Sequence, residues 1–500
     1  MPQVQQEWAA VVQNPLIARE QDYDTEQQTQ LAEQRIPLLN HDQRSAFDLI
    51  MQAVEAKSGQ CFFLHGPGGT GKTFVYNTLC PSLRAKVKIV ICVASSGIAS
   101  LLLKGGRTVH STFKVPLDIH ESSSCNIRKN SDLAELIRCA DLIIWDEAPM
   151  QHRHIHEAVN RAFQDICDSD ALFGGVPVVF GGDFQQILPV IEKGSRAEIV
   201  GACIQRSYIW PSLQVLHLYQ NMRLNVDIEE ERAFAQWQLD IGHGKHTDNS
   251  DKIILPPNLR LEENTVDGLI QHIYPGLSHL QPPLHQYFSE RMILSSRNDD
   301  VDDLNSLMLN SFPGEEHIFF SEDTVENDRP NEGELMYPAE YLNSINCSGL
   351  PLAKLRLKIG CPVMVLRNLF PAEGVCNGTR GVVTKMSTRI IEIELLSEEV
   401  RGKKVFIPRI TLNPSETQVS FKLQRRQFPL KLCFAMTINK SQGQSVSYVG
   451  VDMKSSVFTH GQFYVAVSRV RSVHNIKVIW DEKLGDGITK NVVYPEILLD

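Results

Sequence analysis

The chain has 500 residues, of which 42% are hydrophobic and 22% are charged, and its net charge is −10. This length suits about two to four domains, and the composition is that of a globular protein that folds in water. Eleven cysteines without a C-x-x-C pair argue against a zinc ribbon or a disulfide scaffold.

The sequence shows no pattern typical of a membrane-spanning segment or a targeting peptide. The most apolar stretch, residues 89–103, is too short and too polar in its middle to span a bilayer. The first residues show neither a basic-then-apolar leader nor an Arg-rich transit sequence. We therefore expect no membrane partner and an intracellular protein, in the nucleus, with the mitochondrion as the alternative.

The charge is divided unevenly along the chain. Residues 221–350 hold 8 Lys/Arg against 24 Asp/Glu, a net of −16, whereas residues 351–450 hold 16 against 6, a net of +10. A basic block inside an acidic chain is a candidate surface for the phosphates of a nucleic acid. A solvated strand face is the alternative interpretation of the same block.

Residues 1–38 are Gln/Glu-rich and weakly patterned, and we interpret them as an N-terminal extension with little tertiary role. A helix is predicted to begin after Asn40, its N-cap, because Gln43 stands where it completes a capping box. Over residues 39–222 strand-like apolar runs alternate with helical segments, which predicts an α/β domain with a parallel sheet. The predicted strands are 61–65, 87–93, 141–145, 176–181 and 214–218.

Two segments interrupt this alternation. Residues 105–138 carry Gly, Ser and Thr without a clear period, which indicates a small insert in the first domain. A second α/β domain is predicted over residues 223–359 and 431–500. Between its two parts, residues 360–430 form short alternating segments rich in Val, Ile, Arg and Gly, which are typical of a small β-barrel.

The most specific motif is G-x-x-x-x-G-K-T, between a strand-like run and a run that favours a helix. Such a loop points backbone N–H groups at a polyphosphate, and the helix that follows adds partial positive charge. Lys72 would reach the β- and γ-phosphates, and Thr73 would hold Mg²⁺. The sequence therefore predicts binding of a nucleoside triphosphate such as ATP. The predicted loop residues are Gly66, Gly68, Gly69, Thr70, Gly71, Lys72 and Thr73.

Polar residues also follow two other predicted strands. Asp146 would bind Mg²⁺, and Glu147 would polarise the attacking water as a general base. Gln186 follows the strand near residue 180 and would contact the γ-phosphate or the attacking water. A solvated acid pair and an ordinary surface loop are the respective alternatives.

This ordered set of motifs resembles the superfamily-one DNA helicases of the petite-integration-frequency (PIF) type over about residues 38–480. That resemblance implies two RecA-like P-loop NTPase domains of α/β class, with a small wedge insert and an SH3-like β-barrel insert. The amino-acid sequence at residues 314–316, 321–323 and 366–369 is most similar to the helicase end of Helitron transposon proteins. The segments that carry the PIF-type resemblance are 66–73, 146–147, 182–186, 440–445 and 464–469, with 149–169 as the helical segment where the family has its signature insert.

The resemblance also implies roles for single residues. Gln43 would read the adenine edge, with capping alone as the alternative. Arg223 and Arg469 would be arginine fingers, supplied by the second domain when the two domains close, with a surface salt bridge as the alternative for each. His110 would stack on a base or contact a phosphate, and a structural histidine is the alternative. The implied DNA-binding residues are Ser95, Ser96, Thr108, His110, Lys440 and Gln442.

Two segments depart from the family pattern. The family has Leu-Pro-Pro after the sensor glutamine, where this chain has Ile187-Leu188-Pro189. It has Phe-Arg-Gln near the first finger, where Arg223 stands between Met222 and Leu224. The chain also shows no paired-histidine, tyrosine-bearing endonuclease region, so we expect either a transposon fragment or a stand-alone gene.

The function that the resemblance implies is ATP-dependent, 5′-to-3′ DNA unwinding, with single-stranded and forked DNA as partners and a monomeric chain. Repair, recombination, telomere maintenance and Helitron transposition are the implied settings. Three alternatives stay open: a RecD-like motor, a nucleic-acid-stimulated ATPase switch that never unwinds, and a transposon-derived fragment that only binds DNA.

Overall fold

The computed structural model describes residues 14–222, 228–279, 284–325, 337–347, 349–397, 400–414 and 421–499. These residues divide into two compact units. The first unit holds the chain up to Met222 except residues 185–187, together with Leu499. The second holds residues 185–187 and the chain from 223 to 498.

The first unit is built on a six-stranded sheet in the order β3-β2-β4-β5-β1-β6. Its strands are β1 (Cys61–His65), β2 (Val90–Ala94), β3 (Arg107–Thr108), β4 (Leu142–Asp146), β5 (Val178–Gly182) and β6 (Gln214–His217). Every pairing is parallel. The α/β class predicted from the alternating apolar runs is confirmed.

Both faces of this sheet are covered, which explains why its central strands are continuous apolar runs. Along β1, Phe63 packs into one hydrophobic core, whereas Phe62 and Leu64 pack into the core on the other face. The covering helices are α1 (Pro15–Gln21), α2 (Thr25–Arg35), α3 (His41–Glu55), α4 (Lys72–Arg84), α5 (Gly97–Leu101), α6 (Val109–Phe113), α7 (Asp132–Arg138), α8 (Arg153–Cys167) and α9 (Arg196–Ala202).

The prediction that residues 1–38 have little tertiary role is wrong for the part that the structure describes. Asn14 caps α1 and donates from Nδ2 to Glu135 at 2.9 Å. The Arg84 guanidinium lies 4.1 Å from the ring centre of Tyr23. Gln28 and Ala32 of α2 are buried. Leu16 and Ile17 of α1 also pack against the core of the first unit. The Gln/Glu-rich composition obscured this packing because these few apolar residues stand among polar ones.

The predicted insert at 105–138 also needs correction. Its two ends belong to the core of the first unit, because Phe113 of α6 and Ile137 of α7 are fully buried there. The middle is mixed, with Leu117 93% exposed and Cys125 buried in the same core. A role of this segment in splitting a duplex stays a prediction.

The second unit contains a parallel four-stranded sheet in the order β19-β8-β20-β21. Met292 and Leu294 of β8 face one core, and Ile293 faces the other. The strands of this unit are β7 (Lys252–Ile254), β8 (Arg291–Ser295), β9 (Glu316–Phe320), β10 (Glu322–Val325), β11 (Lys354–Lys358), β12 (Pro362–Val365), β13 (Arg380–Met386), β14 (Ile390–Leu395), β15 (Lys404–Pro408), β16 (Ile410–Leu412), β17 (Leu423–Gln427), β18 (Leu430–Leu432), β19 (Ala435–Thr437), β20 (Tyr448–Met453), β21 (Ile476–Trp480) and β22 (Ile488–Lys490). Its helices are α10 (Glu229–Gly242), α11 (Val266–Ile273), α12 (His285–Ser289), α13 (Asn298–Ser311), α14 (Ala339–Ser344) and α15 (Gln462–Val467).

A small antiparallel β region is inserted into the second unit. Five of its strands form a sheet in the order β15-β14-β13-β12-β18, and β10, β17 and β16 form a second sheet. The strands of the five-stranded sheet run from Pro362 to Leu432, and the predicted insert covers residues 360–430. The sequence did not predict the strands that precede this sheet: β10 pairs with β17 about a hundred residues later in the chain, and β9 pairs with β11.

Candidate functional site

The predicted site residues of the first unit follow the strands of one parallel sheet, so they meet at its carboxyl edge. His65 at the end of β1 is level with Gly182 at the end of β5. Ala94 at the end of β2 is level with both Asp146 and Thr108. The carboxyl edge of a parallel sheet is the place where α/β proteins bind ligands. The register therefore brings the phosphate loop, the acid pair and two of the predicted DNA segments to one edge.

Two glycines give the phosphate loop its shape. Gly69 has φ 95° and Gly71 has φ 85°, a region that residues with a side chain rarely adopt. A Cβ on Gly71 would lie 2.4 Å from Nε2 of Gln43. A Cβ on Gly68 would meet nothing within 4 Å, so this stretch of the loop is open. Both features fit a backbone that must approach a polyphosphate closely.

The lysine of the motif lies inside this loop. Lys72 is the first residue of α4, and its Nζ donates to the backbone carbonyl of Gly66 across the loop. The ammonium group thus lies among the loop's own polar groups, where a phosphate would meet it. Thr73 follows on the first turn of the same helix, the position that the motif requires for a metal-binding hydroxyl.

The acid pair ends β4, the strand next to β5. Asp146 is 4% exposed, and its Oδ1 accepts from the backbone N–H of Glu147 at 2.9 Å. Burial raises the pKa of Asp146, and the nearby charge of Lys72 opposes that rise. Glu147 has φ 53°, which turns the chain sharply after the strand. The Asp146 carboxylate at the end of β4 and the Thr73 hydroxyl on the first turn of α4 are oxygen donors of the kind that Mg²⁺ prefers.

The structure adds a residue that the sequence reasoning missed. Tyr76 lies one turn after Lys72 in α4 and is fully buried, and its hydroxyl has no hydrogen-bond partner among the described residues. A Cβ on Gly181 would lie 1.5 Å from Tyr76 Oη and 3.5 Å from Asp146 Oδ1. Burial raises the pKa of Tyr76 well above its usual value, with further contributions from Asp146 and Glu147. The glycine thus leaves room for a neutral hydroxyl close to the acid pair.

Both polar side-chain atoms of Gln43 form hydrogen bonds. Its Oε1 accepts from the backbone N–H of Asn40 at 3.1 Å, which completes the predicted capping box. Its Nε2 donates to the carbonyl of Thr70 at 2.9 Å. The capping alternative is therefore confirmed, and Gln43 also holds the phosphate loop. Its reading of adenine stays a prediction.

The predicted DNA residues of the first unit have different local roles. Ser96 is the N-cap of α5, and Thr108 is the N-cap of α6. Ser95 contacts the acid pair: its N–H donates to the carbonyl of Asp146 at 3.2 Å, and its hydroxyl donates to the carbonyl of Glu147. His110 is partly buried in α6, and burial lowers its pKa. The lowered pKa disfavours the charged imidazolium, which fits a stacking or structural role better than an ion pair with a phosphate.

The remaining predicted site residues belong to the second unit. The backbone of Gln186 packs against Gly461, where a Cβ would lie 2.7 Å from the Gln186 carbonyl oxygen. Arg469 is 6% exposed, and its guanidinium donates to the carbonyls of Val465, Gln444 and Ser441 at 2.9, 2.9 and 3.3 Å. These bonds join the guanidinium to its own helix and to the segment 441–444. Arg223 lies outside the described residues.

Lys440 and Gln442 flank Ser441 at the end of a short 3-10 helix. Lys440 donates from Nζ to Oδ1 of Asn377 at 3.1 Å. Gln442 is largely buried. Within the described ranges no group of three His, Cys, Asp or Glu side chains is placed to hold a metal. In the same part of the chain, no helix combines the length and apolar character needed to cross a bilayer.

Comparison with known proteins agrees with this arrangement. The family model described as PIF1-like helicase matches residues 38–252, and the model described as DNA helicase Pif1, 2B domain, matches residues 340–386. The chain is 27% identical over 453 residues to ATP-dependent DNA helicase Pif1 of Bdellovibrio bacteriovorus, covering 89% of each chain. It is 26% identical over 424 residues to ATP-dependent DNA helicase PIF1 of Xenopus laevis, covering 84% of this chain and 59% of that protein.

Solved structures show the same fold. A Pif1 helicase from a study of unwinding at forked double-stranded DNA superposes with a TM-score of 0.64 at 23% identity, covering 91% of this chain and 100% of that one. Bacteroides Pif1 bound to single-stranded DNA gives a TM-score of 0.63 at 23% identity, covering 92% and 94%. The predicted fold class of two RecA-like domains with inserts is confirmed. By its two matching family models, its relatives and its fold, the chain belongs to the PIF-type superfamily-one helicases.

Proposed function

We propose that the chain is an ATP-dependent DNA helicase that moves 5′ to 3′ along a single strand and unwinds the duplex ahead of it. The observation that carries this proposal is the carboxyl edge of the first sheet. There the segments of Thr108 and Ser95 and the acid pair follow the adjacent strands β3, β2 and β4, and the phosphate loop follows β1, which β5 separates from β4. The proposed ATP site and the proposed DNA-binding segments therefore share one sheet.

The chain's own residues have distinct tasks in hydrolysis. The loop from Gly66 to Thr73 binds the phosphates through backbone N–H groups, and Lys72 neutralises their charge. Glu147 orients and deprotonates the attacking water. Thr73 and Asp146 would hold a magnesium ion, which neutralises charge on the β- and γ-phosphates when it is bound. Gln186, Arg223 and Arg469 are the proposed sensor and fingers for the charge that develops in the transition state.

Ser95 offers a direct connection between the two activities. It belongs to a segment proposed to contact DNA, and it bonds to the backbone of both Asp146 and Glu147. A shift of this segment on binding a strand would move the carbonyl of Glu147. DNA-stimulated hydrolysis is the expected consequence.

The test is ATP hydrolysis by the purified chain with and without single-stranded DNA, with Lys72→Ala as the inactive variant. We expect strong stimulation by DNA, loss of turnover in K72A, and single-strand binding that K72A retains. Turnover that survives K72A would refute the assigned site. Stimulation without strand separation would favour an ATPase switch, and binding without turnover would favour a transposon-derived fragment.

Several finer points rest on family resemblance alone. Polarity would be tested with duplexes that carry a 5′ or a 3′ tail, although a RecD-like motor shares the 5′-to-3′ direction. Light scattering with and without DNA would test the proposed monomer. A nuclear location and roles in repair, recombination, telomere maintenance or transposition would be tested by imaging a tagged chain and by loss-of-function phenotypes. The likeness to Helitron proteins stays a prediction.

A further inference from the structure

Two buried cysteines of the first unit face each other between α4 and β2. Cys80 lies in the second half of α4, and Cys92 lies in the middle of β2. Both are buried free thiols, and their Sγ atoms form a hydrogen bond 3.5 Å long. The fold thus holds two thiols in contact, which is the first requirement for an internal disulfide.

A buried arginine lies beside this pair. Arg84 is 2% exposed, and its Nη2 lies 4.0 Å from Sγ of Cys92. The same nitrogen donates to the carbonyls of Lys104 and Val90 at 3.1 and 3.5 Å. Its Nε and Nη1 have no hydrogen-bond partner among the residues that the structure describes. A buried cation with unpaired donors is unfavourable, so a negative charge that forms next to it is stabilised.

The negative charge that this environment favours is a thiolate. The hydrogen bond from Cys92 lowers the pKa of Cys80, burial opposes this, and the positive charge of Arg84 lowers the pKa further. The carboxylate of Glu20 has a smaller opposing effect, and it pairs with Arg19 at 3.0 Å. Because the thiolate and not the thiol attacks oxidants, Cys80 is the nucleophile of the pair and Cys92 its resolving partner.

We propose that Cys80 and Cys92 are an oxidisable thiol pair that a peroxide converts to a disulfide, with Arg84 as the counter-charge of the attacking thiolate. The Cys80 sulfur attacks one oxygen of hydrogen peroxide, so that an S–O bond forms, the O–O bond breaks and hydroxide leaves. The Cys92 sulfur then attacks the Cys80 sulfur, so that the S–S bond forms and the S–O bond breaks. Both hydroxide groups take up the thiol protons and leave as water. The two thiols together lose two electrons, and the peroxide gains them.

The disulfide would act on the ATP site through α4 and β2. It shortens the distance between the two sulfur atoms from 3.5 Å to about 2.0 Å. Lys72 begins α4 and Ser95 follows β2, so a displacement of either element reaches a segment of the site. A misplacement of about 1 Å can lower a rate about 100-fold, so we expect oxidation to inhibit ATP turnover reversibly. This inhibition rests on the proposed function, whereas disulfide formation does not.

The experiment treats the full chain with hydrogen peroxide, blocks the remaining thiols and digests the chain with trypsin without reductant. Trypsin cleaves at basic residues between the two cysteines, so Cys80 falls in peptide 73–84 and Cys92 in peptide 89–104, each with one cysteine. We expect mass spectrometry to find these two peptides joined after oxidation of the folded chain. Dithiothreitol should separate them and restore ATP turnover.

Four variants test the assignment. Cys92→Ala should abolish the link and make ATP turnover insensitive to peroxide. Cys61→Ala is the matched control, since it removes a buried cysteine from another strand of the same sheet and should keep the link. In Arg84→Gln the link should form about 3- to 10-fold more slowly, because a pKa higher by about one unit lowers the thiolate fraction about tenfold and partly offsets this by raising nucleophilicity. Arg84→Lys, which keeps the charge, should restore most of the rate.

Thermal unfolding of each variant checks that its fold is intact. If the folded wild type keeps both thiols free while the exposed Cys139 is oxidised, the thiol pair is refuted. A link that forms only in urea, or that joins Cys80 to another cysteine, would refute it as well. Equal rates in the wild type and R84Q would refute the role of Arg84.

The two readouts separate this site from the proposed function. If the disulfide forms and ATP turnover is unchanged, the inhibition is refuted and the helicase function stands. If the reduced wild type hydrolyses no ATP with single-stranded DNA but the two peptides become joined, the proposed function is refuted and the thiol pair stands.

Discussion

The hydroxyl of Ser95 donates a hydrogen bond to the backbone carbonyl of Glu147, the proposed general base. The two residues end neighbouring parallel strands, and the N–H of Ser95 also donates to the carbonyl of Asp146 at 3.2 Å. A segment proposed to contact DNA is thus tied to the backbone that positions the acid pair. In this account Ser95 is a positioning residue that transmits DNA binding to hydrolysis.

Replacing Ser95 with Ala removes the side-chain bond and keeps the backbone one. A hydrogen bond of this kind contributes about 0.5–1.5 kcal/mol, which corresponds to roughly a 2- to 13-fold effect on rate. We expect kcat in the presence of single-stranded DNA to fall by about that factor, with the KM for ATP and the turnover without DNA nearly unchanged. Ser122→Ala, an exposed serine in the same unit, is the control. An equal loss with and without DNA would argue against a coupling role.

Two glycines of the phosphate loop should respond differently to alanine. In Gly71→Ala the left-handed backbone costs about 1–2 kcal/mol, and the new Cβ would lie 2.4 Å from Gln43. We expect a lower melting temperature and lost binding of a fluorescent ATP analogue. In Gly68→Ala the Cβ enters open space, so the melting temperature should stay close to the wild type. Equal destabilisation by the two substitutions would contradict the loop geometry.

The Tyr76 hydroxyl, which has no hydrogen-bond partner among the residues that the structure describes, predicts separate effects on stability and activity. Removing a buried polar group that has no partner is neutral or stabilising by about 1–3 kcal/mol. Tyr76→Phe should therefore melt at or above the wild-type temperature, while ATP turnover falls because the acid pair loses a nearby hydroxyl. Gly181→Ala, whose new Cβ would displace the Tyr76 ring, should lower both the melting temperature and ATP turnover. A marked loss of stability in Y76F would show that the hydroxyl has a partner after all.

The buried carboxylate of Asp146 predicts how stability without nucleotide depends on pH. Its folded pKa is raised above the usual value of 3.8, so the unfolded chain releases this proton first. The charged group therefore opposes folding once the pH rises above about 3.8, and this cost reaches its full size above the folded pKa. Asp146→Asn should raise the melting temperature at pH 7 by more than at pH 4. If the stabilisation by Asp146→Asn grows as the pH falls, the pKa of Asp146 is not raised in the folded chain.

The phosphate loop and the helix cap could be predicted because each depends on residues that lie close together in the sequence. A strand, a glycine loop and a helix follow each other within residues 61–84, and the capping box at Asn40 spans four residues. The proximity of Tyr76 to Gly181 depends instead on how β1 pairs with β5, and the bond from Ser95 to Glu147 depends on the pairing of β2 with β4. Pairing register is not encoded in any short motif.

Pairings between distant segments were missed for the same physical reason. Strand β10 pairs with β17, a partner so distant in sequence that short alternating segments cannot reveal it. The N-terminal helices pack through Asn14, Gln28 and Tyr23 as well as through Leu16 and Ile17. Polar and apolar contacts mixed in this way leave no regular apolar period in the sequence.

Strand separation tests the central claim most directly. The substrate is a labelled duplex with a single-stranded 5′ tail, compared with the same duplex carrying a 3′ tail, in the presence of ATP and Mg²⁺. The account predicts separation of the 5′-tailed duplex, little separation of the 3′-tailed one, and none by K72A. DNA-stimulated ATP hydrolysis without separation of either duplex would contradict it.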